Sequence, residues 1–111
     1  MAGIFEVKTT KAGKFHFVLK AGNGQVILSS QQYASKDTAL NGIESVKKHA
    51  TKDAAFERKT DKAGAPYFVL NADNGQVIGQ SESYSSNSAM ENGVESVKSN
   101  APTATLKEVV E

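Results

Sequence analysis

Apolar and polar residues alternate in three short segments near the start of the chain, and this two-residue period predicts β-strands. The segments are residues 4–9, 15–20 and 25–30. A helical period follows, because apolar residues then recur at spacings of four, three and four. This stripe consists of Ala39, Ile43, Val46 and Ala50. Ser35 stands just before it and suits a helix N-cap, so the pattern predicts the order β-β-β-α.

The whole pattern returns after 51 residues. Residues 5–50 align without a gap on residues 56–101, and 26 of these 46 pairs are identical. The two repeats therefore span about 4–51 and about 55–102. A second helical stripe, Met90, Val94, Val97 and Ala101, matches the first, and Pro102 should stop that helix.

The identities are not spread evenly, since residues 36–40 differ at all five positions from residues 87–91. After the second helix, an alternating segment at about 105–110 predicts a closing strand. The joint between the repeats is too short for a flexible linker. We therefore interpret residues 1–111 as one α+β domain with a shared core, in which a monomer acts as a pseudo-dimer.

The hairpin between the second and third strands sets which residues share a face. Residues 23–24 and 74–75 are Asn-Gly pairs between apolar runs, the strongest short signal for a two-residue type I′ turn. Such a turn would place Lys20 opposite Ile27 and Leu19 opposite Leu28. The face beneath the helices would then carry Phe17, Leu19, Ala21, Val26 and Leu28.

The opposite face of the sheet is predicted to mix branched aliphatic, aromatic, imidazole and lysine side chains. Its candidate interaction residues are His16, Val18, Lys20, Ile27, Tyr67, Val69, Asn71 and Ile78. A one-sided sheet is usually polar on its open face, and apolar residues rimmed by polar ones mark interaction surfaces. The alternative is that these β-branched residues serve strand propensity alone.

Several segments resemble the YegP-like family of small bacterial proteins, and the resemblance covers about residues 4–101. The similar segments are FVLKAGNGQVI (17–27), YFVLNADNGQVI (67–78), NGIESVK (41–47) and NGVESVK (92–98), together with Tyr33 and Tyr84. The resemblance implies a bacterial source and two β-β-β-α units in a single antiparallel sheet, with both helices on one face. It also implies that the strand after each helix pairs into the other unit. It implies no activity and no catalytic residues.

Composition excludes some classes of protein. The chain has no cysteine, so disulfides and thiolate chemistry are excluded. No apolar run approaches the ~20 residues of a membrane helix, and no signal-peptide pattern opens the chain, so we expect a cytoplasmic protein. Residues 1–50 carry seven Lys and three acids (+4), whereas residues 51–111 carry six basic and nine acidic residues (−3). Either the surface drifted after duplication, or the first half faces an anionic partner.

Few residues could carry chemistry. His16 and His49 are the only histidines, and a metal site needs three or four ligands, so we predict no metal and no cofactor. Ser45 and Ser96 lack a suitably placed base, so we predict no catalytic residue and no enzyme. Glycine inside a helix is unfavourable, yet Gly42 and Gly93 recur there, which predicts a close approach of helix to sheet or to the other helix.

Tyr33 and Tyr84 precede the helices, and we interpret them as plugs over the end of the core, with stacking on a ligand as the alternative. The function is not determined by the sequence. A binding module for a protein or peptide, acting through the open sheet face or a sheet edge, is the leading hypothesis. A nucleic-acid (RNA) binding protein is the alternative, supported by the +4 first half and the aromatic residue at position 67.

Overall fold

A computed structural model of the chain describes residues 3–110. The elements follow the order β-β-β-α-β-β-β-α-β. They are β1 (Ile4–Thr9), β2 (Phe15–Lys20), β3 (Val26–Ser29), α1 (Lys36–His49), β4 (Phe56–Thr60), β5 (Pro66–Asn71), β6 (Val77–Gln80), α2 (Asn87–Asn100) and β7 (Thr105–Val110). The two repeats and the closing strand predicted from the periodicity are confirmed.

The strands form one seven-stranded sheet in the order β4-β5-β6-β3-β2-β1-β7. The repeats meet where β3 pairs with β6 through the single residue pair Ser29–Gln80. These two residues occupy matching positions in the repeats, so an approximate two-fold axis passes between them. The strands β4 and β7 are the edges of the sheet.

The strand after each helix pairs with a strand of the repeat to which that helix does not belong, as the family resemblance implied. The strand β4 follows α1 and pairs with β5, while β7 follows α2 and pairs with β1. The sheet is nevertheless mixed rather than wholly antiparallel, because β7 runs parallel to β1. The remaining strand pairs are antiparallel.

Both helices cover the same face of the sheet and enclose one core. The core contains the predicted residues Ile43, Val46, Val94 and Val97 together with aromatic residues of both repeats. The N-caps are also confirmed, since the Ser35 hydroxyl accepts a hydrogen bond from the Thr38 amide and Ser86 does the same for Ala89. Because α1 packs against β6 and α2 against β3, each helix contacts the sheet of the other repeat.

The β2–β3 hairpin differs from the two-residue turn that the Asn-Gly pair predicts. Only Gly24 has a positive φ (86°), and Asn23 does not, so the turn is not type I′. The Gly24 amide donates to the Ala21 carbonyl and the Ala21 amide donates to the Gln25 carbonyl, which closes a three-residue loop. The predicted register holds for the Val18–Ser29 and Leu19–Leu28 pairs.

A bulge then changes the faces of the next residues. Leu19 lies opposite Leu28 and the next residue, Lys20, lies opposite Val26. Ile27 is therefore an extra residue of β3 that has no partner in β2. Since one extra residue reverses the alternation, Val26 faces away from the helices and Ile27 joins the core. The prediction of Val26 inside and Ile27 outside is therefore wrong, and the same bulge occurs between Leu70 and Asn71 in the second repeat.

Candidate interaction surface

The outer face is the side of the sheet opposite the helices. The structure keeps six of the eight predicted interaction residues there, as judged from the strand register: His16, Val18, Lys20, Tyr67, Val69 and Asn71. It removes two, because Ile27 and Ile78 are buried in the core beneath the helices. The physical reason is the bulge that precedes each of them.

The two outer-face valines are much less accessible than the hypothesis required. Val18 is 6% exposed and Val69 is 3% exposed. Val18 lies between Glu6 and Ser29 in the register, and the Lys20 ammonium lies 3.1 Å from the Glu6 carboxylate beside it. Val18 therefore does not offer an open apolar patch.

The accessible apolar surface lies instead at the centre of the outer face. A groove of about 410 Å³ follows the line where β3 and β6 diverge from their single residue pair. Its walls include Val26, Ser29 and Gln31 of the first repeat and Val77, Gln80 and Glu82 of the second. We call this the central groove. Val77 is 41% exposed, so the groove has an apolar wall open to solvent.

The walls of the central groove are held in place by two serine side chains at equivalent positions. Ser30 Oγ accepts a hydrogen bond from the Phe17 amide (2.9 Å) and donates to the Gln31 carbonyl (2.8 Å). Ser81 Oγ does the same with the Phe68 amide (3.0 Å) and the Glu82 carbonyl (2.8 Å). Each hydroxyl replaces a backbone partner, so the strand ends leave the sheet in a defined direction.

Sequence reasoning missed the groove because it assigned Val26 to the face beneath the helices, and Ile27 and Ile78 to the outer face. The repeated QVI segment could not decide this, because alternation does not show which of the two branched residues faces outward and a bulge reverses the assignment. A two-residue turn at Asn23-Gly24 predicts that Val26 faces the core and Ile27 faces outward, whereas the three-residue loop and its bulge produce the opposite arrangement.

Tyr33 and Tyr84 close the end of the core, as predicted. The ring of Tyr33 stacks on Phe17 with a centroid distance of 6.1 Å, and Tyr84 stacks on Phe68 at 6.3 Å. Burial raises the pKa of both phenols above the ordinary value. A helical glycine lies against the hydroxyl end of each ring: a Cβ on Gly42 would stand 2.6 Å from the Tyr33 hydroxyl oxygen, and Gly93 is in equally close contact with Tyr84. The predicted close approach at the helical glycines is confirmed.

His49 is buried and lies between a serine and an aspartate, which invites comparison with a catalytic triad. Its Nδ1 lies 2.8 Å from the Ser45 carbonyl oxygen, and the Asp73 amide donates to its Nε2 at 3.2 Å. The Ser45 hydroxyl oxygen also lies 3.2 Å from Nδ1, and an Asp73 carboxylate oxygen lies 3.3 Å from Nε2. When Nδ1–H donates to the Ser45 carbonyl, the nitrogen that faces the Ser45 hydroxyl carries a proton and is not a base for it. The arrangement links the end of α1 to the β5–β6 hairpin.

Between residues 3 and 110, no three His, Asp or Glu side chains come together as a metal site would require. Asn71 lines a cavity of about 220 Å³ with Lys52 and Asp73, and its Oδ1 is buried without a hydrogen-bond partner in this part of the chain. Over the same residues, no helix is long and apolar enough to cross a membrane.

The fold defines a tandem-repeat α+β protein with a groove on its internal two-fold axis. A family model described as a domain of unknown function, DUF1508, matches residues 10–57 and 61–108. The chain therefore belongs to the UPF0339, or YegP-like, family and carries the DUF1508 domain in two tandem copies.

Relatives and solved structures agree with this assignment. The chain is 51% identical to a UPF0339 protein from the 5′ region of the ptx operon of Stutzerimonas stutzeri, over 98% of both chains. It is 49% identical to the UPF0339 protein YegP of Yersinia pestis, over 96% of both chains. Two solution NMR structures share the fold at a TM-score of 0.93 and cover 99% of this chain.

The first of these structures is a UPF0339 protein from Shewanella oneidensis, at 44% identity and 93% coverage of its chain. The second is yegP from E. coli, described as a protein of unknown function, at 43% identity and 95% coverage. Both confirm the family and the architecture.

Proposed function

We propose that the protein is a non-enzymatic binding module that holds an extended peptide segment of a partner protein in the central groove. The observation that carries the proposal is the exposed apolar wall at Val77, set within a groove of about 410 Å³ and flanked by polar side chains. Recognition sites combine an apolar surface with a few placed polar groups in this way. The groove follows two strands, which suits an extended segment.

The groove also has a polarity that constrains the peptide. Glu82 is the charged residue among those that line it, and Gln31 occupies the matching position in the first repeat. The two-fold related ends therefore differ by one negative charge. A bound peptide is expected to place a lysine or arginine near Glu82 and a neutral residue near Gln31.

Nucleic-acid binding by the same face has less support. The Lys20 ammonium is engaged by Glu6 at 3.1 Å, and Lys59 lies 3.9 Å from Glu57. Tyr67 is half-buried beside these strands rather than fully open for base stacking. An enzymatic function has no support from the His49 geometry, in which both ring nitrogens are engaged.

The test is a selection from a displayed peptide library followed by binding measurements on individual peptides. Val77→Lys places a charge on the exposed groove wall, and Ser99→Lys adds the same charge at an exposed position of α2 as the matched control. Selected peptides should bind wild type and Ser99→Lys equally and bind Val77→Lys at least about tenfold more weakly, since each factor of ten is 1.4 kcal/mol.

NMR spectra of the amides then locate the contact. Ser29 and Gln80 should shift on addition of a selected peptide, and the selected peptides should share a basic residue. The proposal is wrong if no peptide is enriched, or if enriched peptides bind Val77→Lys as tightly as wild type. Unchanged circular dichroism of both variants shows that the fold is intact.

A further inference from the structure

The β1–β2 and β4–β5 hairpins have the same turn geometry. In the first, the Thr10 amide donates to the Lys14 carbonyl (2.8 Å), and Gly13 has φ of 79°. In the second, the Asp61 amide donates to the Ala65 carbonyl (2.9 Å), and Gly64 has φ of 86°. The two loops thus have the same backbone conformation and differ in their side chains.

The charges of these loops differ strongly. Residues 8–14 (KTTKAGK) carry three lysines and no acid, for a formal charge of +3. Residues 59–65 (KTDKAGA) carry two lysines and one aspartate, for +1. The acid is integrated into its turn, because Asp61 accepts hydrogen bonds from the Ala63 and Ala65 amides. We call residues 8–14 the basic hairpin.

Among the described residues, the three lysines of the basic hairpin form no ion pair, whereas five lysines elsewhere in the chain do. Lys20 pairs with Glu6, Lys36 with Glu108, and Lys98 with Asp53. Within residues 3–110, no carboxylate lies within 4.0 Å of the three hairpin lysines. They are Lys8, Lys11 and Lys14. Like charges gathered without counter-ions raise the local potential and attract an anionic partner.

The hairpin tip offers charge but no apolar anchor. A Cβ on Gly13 would meet nothing within 4 Å, and the tip residues Lys11, Ala12 and Lys14 are exposed. Protein partners usually need a buried aromatic or aliphatic anchor at the centre of the contact. A phosphate backbone needs only spaced cations, because its binding is mainly electrostatic and independent of sequence. The surface chemistry therefore favours a nucleic acid over an acidic protein.

We propose that the basic hairpin binds the phosphate backbone of a nucleic acid, with one phosphate contact for each of its three lysines. This site lies at a turn between strands and is separate from the central groove. Its binding should be weak and independent of base sequence. For a single strand, three contacts predict a slope of log K against log salt of about −2.

The second repeat supplies variants that should preserve the fold. Thr10→Asp with Lys14→Ala gives the first hairpin the residues that the same turn already carries in the second. Asp61→Thr with Ala65→Lys makes the reciprocal change. Binding is measured by fluorescence anisotropy with a short labelled uridine oligonucleotide, at salt concentrations from about 50 to 200 mM.

Wild type should bind with a slope near −2, and the Thr10→Asp/Lys14→Ala variant should lose roughly tenfold or more at 50 mM salt, with a slope no steeper than about −1.4, the value for its two remaining lysines. The reciprocal variant should bind more tightly than wild type. Salt-independent binding, or equal binding by both variants, would overturn the proposal. Equally tight binding of poly-glutamate would also overturn the assignment to nucleic acid. Val77→Lys tests the groove separately, because it should leave oligonucleotide binding at least as tight as in wild type.

Discussion

The guanidinium of Arg58 donates two hydrogen bonds to the carboxylate of Glu91, from Nε to Oε2 at 3.0 Å and from Nη2 to Oε1 at 2.9 Å. The first repeat has Val7 and Leu40 at the matching positions. The second repeat thus has a bidentate ion pair at these positions, and the first repeat has two apolar residues. Val7 is buried and Leu40 packs against the core.

The position of β7 explains the difference. It pairs with β1 and buries Val7, whereas β4 is an uncovered edge of the sheet. An apolar pair at the β4 edge would be exposed to solvent. Residues 36–40 and 87–91, which differ at all five positions, begin the helices above these two edges. The repeats therefore diverged where the closing strand breaks their symmetry, and charged side chains protect the open edge.

Replacing Arg58 by Val together with Glu91 by Leu should make the β4 edge associate with other molecules. The ion pair is largely exposed, so its loss should change the free energy of unfolding by less than about 1 kcal/mol. The new apolar edge should nevertheless raise the oligomeric mass measured by light scattering. Val7→Arg with Leu40→Glu is the informative contrast, because it should destabilise the fold by placing one charge at buried Val7 and another at Leu40, which packs against the core. A monomeric Arg58→Val/Glu91→Leu variant at high concentration would contradict this account of the edge.

Acidification should lower stability through two carboxylates, Glu91 of the second repeat and Asp53 of the joint between the repeats. The hydrogen bond from Arg58 lowers the pKa of Glu91, and the hydrogen bond from Lys98 lowers the pKa of Asp53. A carboxylate whose pKa is lower in the folded state stabilises the fold above its unfolded pKa, and that contribution is lost as the pH falls through the folded pKa.

The window begins at the ordinary pKa values of 4.5 for Glu91 and 3.8 for Asp53 and extends below them. The melting temperature should thus be constant above about pH 5 and fall towards pH 3. Arg58→Ala should reduce the steepness of that fall, since it removes the first cause of the shift at Glu91. An unchanged pH profile in Arg58→Ala would show that the pair does not couple to folding.

Much of the architecture could be predicted because the periods are strong and occur twice. The stripes from Ala39 to Ala50 and from Met90 to Ala101, and the N-caps at Ser35 and Ser86, are local features that side-chain spacing encodes directly. The face of Ile27 was not predictable in this way. An Asn-Gly pair suits both a type I′ turn and a three-residue loop with glycine at its end, and the two differ by one residue of register.

Gly42→Ala should destabilise the protein although alanine is the better helix former. Helix propensity alone would favour alanine by about 1 kcal/mol. The new Cβ would stand 2.6 Å from the Tyr33 hydroxyl oxygen and 2.9 Å from Phe17 Cε2, and the stacked rings leave little room to move. Overpacking of this kind typically costs about 1–3 kcal/mol, measurable by urea denaturation.

The neighbouring exposed residue provides the control for this substitution. Asn41→Ala should leave stability unchanged or slightly raised, because its side chain faces solvent. Tyr33→Phe combined with Gly42→Ala should recover part of the loss, since it removes the nearest atom. If Gly42→Ala is as stable as wild type, the glycine is not a packing requirement.

His49→Asn should keep the hydrogen bond to the Ser45 carbonyl at the end of α1 and lose the hydrogen bond from the Asp73 amide of the second repeat. Asn100, at the matching position, donates from Nδ2 to the Ser96 carbonyl at 2.7 Å, as His49 Nδ1 does to Ser45. Asparagine is too short to reproduce the Nε2 acceptor for the Asp73 amide. The expected loss is about 1–3 kcal/mol, with faster hydrogen exchange at Asp73. Unchanged exchange at Asp73 would contradict the proposed link.

The two repeats should unfold as one unit. The helix α1 packs on β6, α2 packs on β3, and β7 completes the sheet beside β1, so neither repeat encloses its own core. Chemical denaturation followed by circular dichroism and by tyrosine fluorescence should give coincident single transitions. A fragment of residues 1–52 should not fold as a monomer, because it leaves β1 and β3 without β7 and α2. Two transitions, or a stable monomeric fragment, would mean that each repeat folds independently. In that case the central groove would be a junction between two domains whose relative position a partner could change.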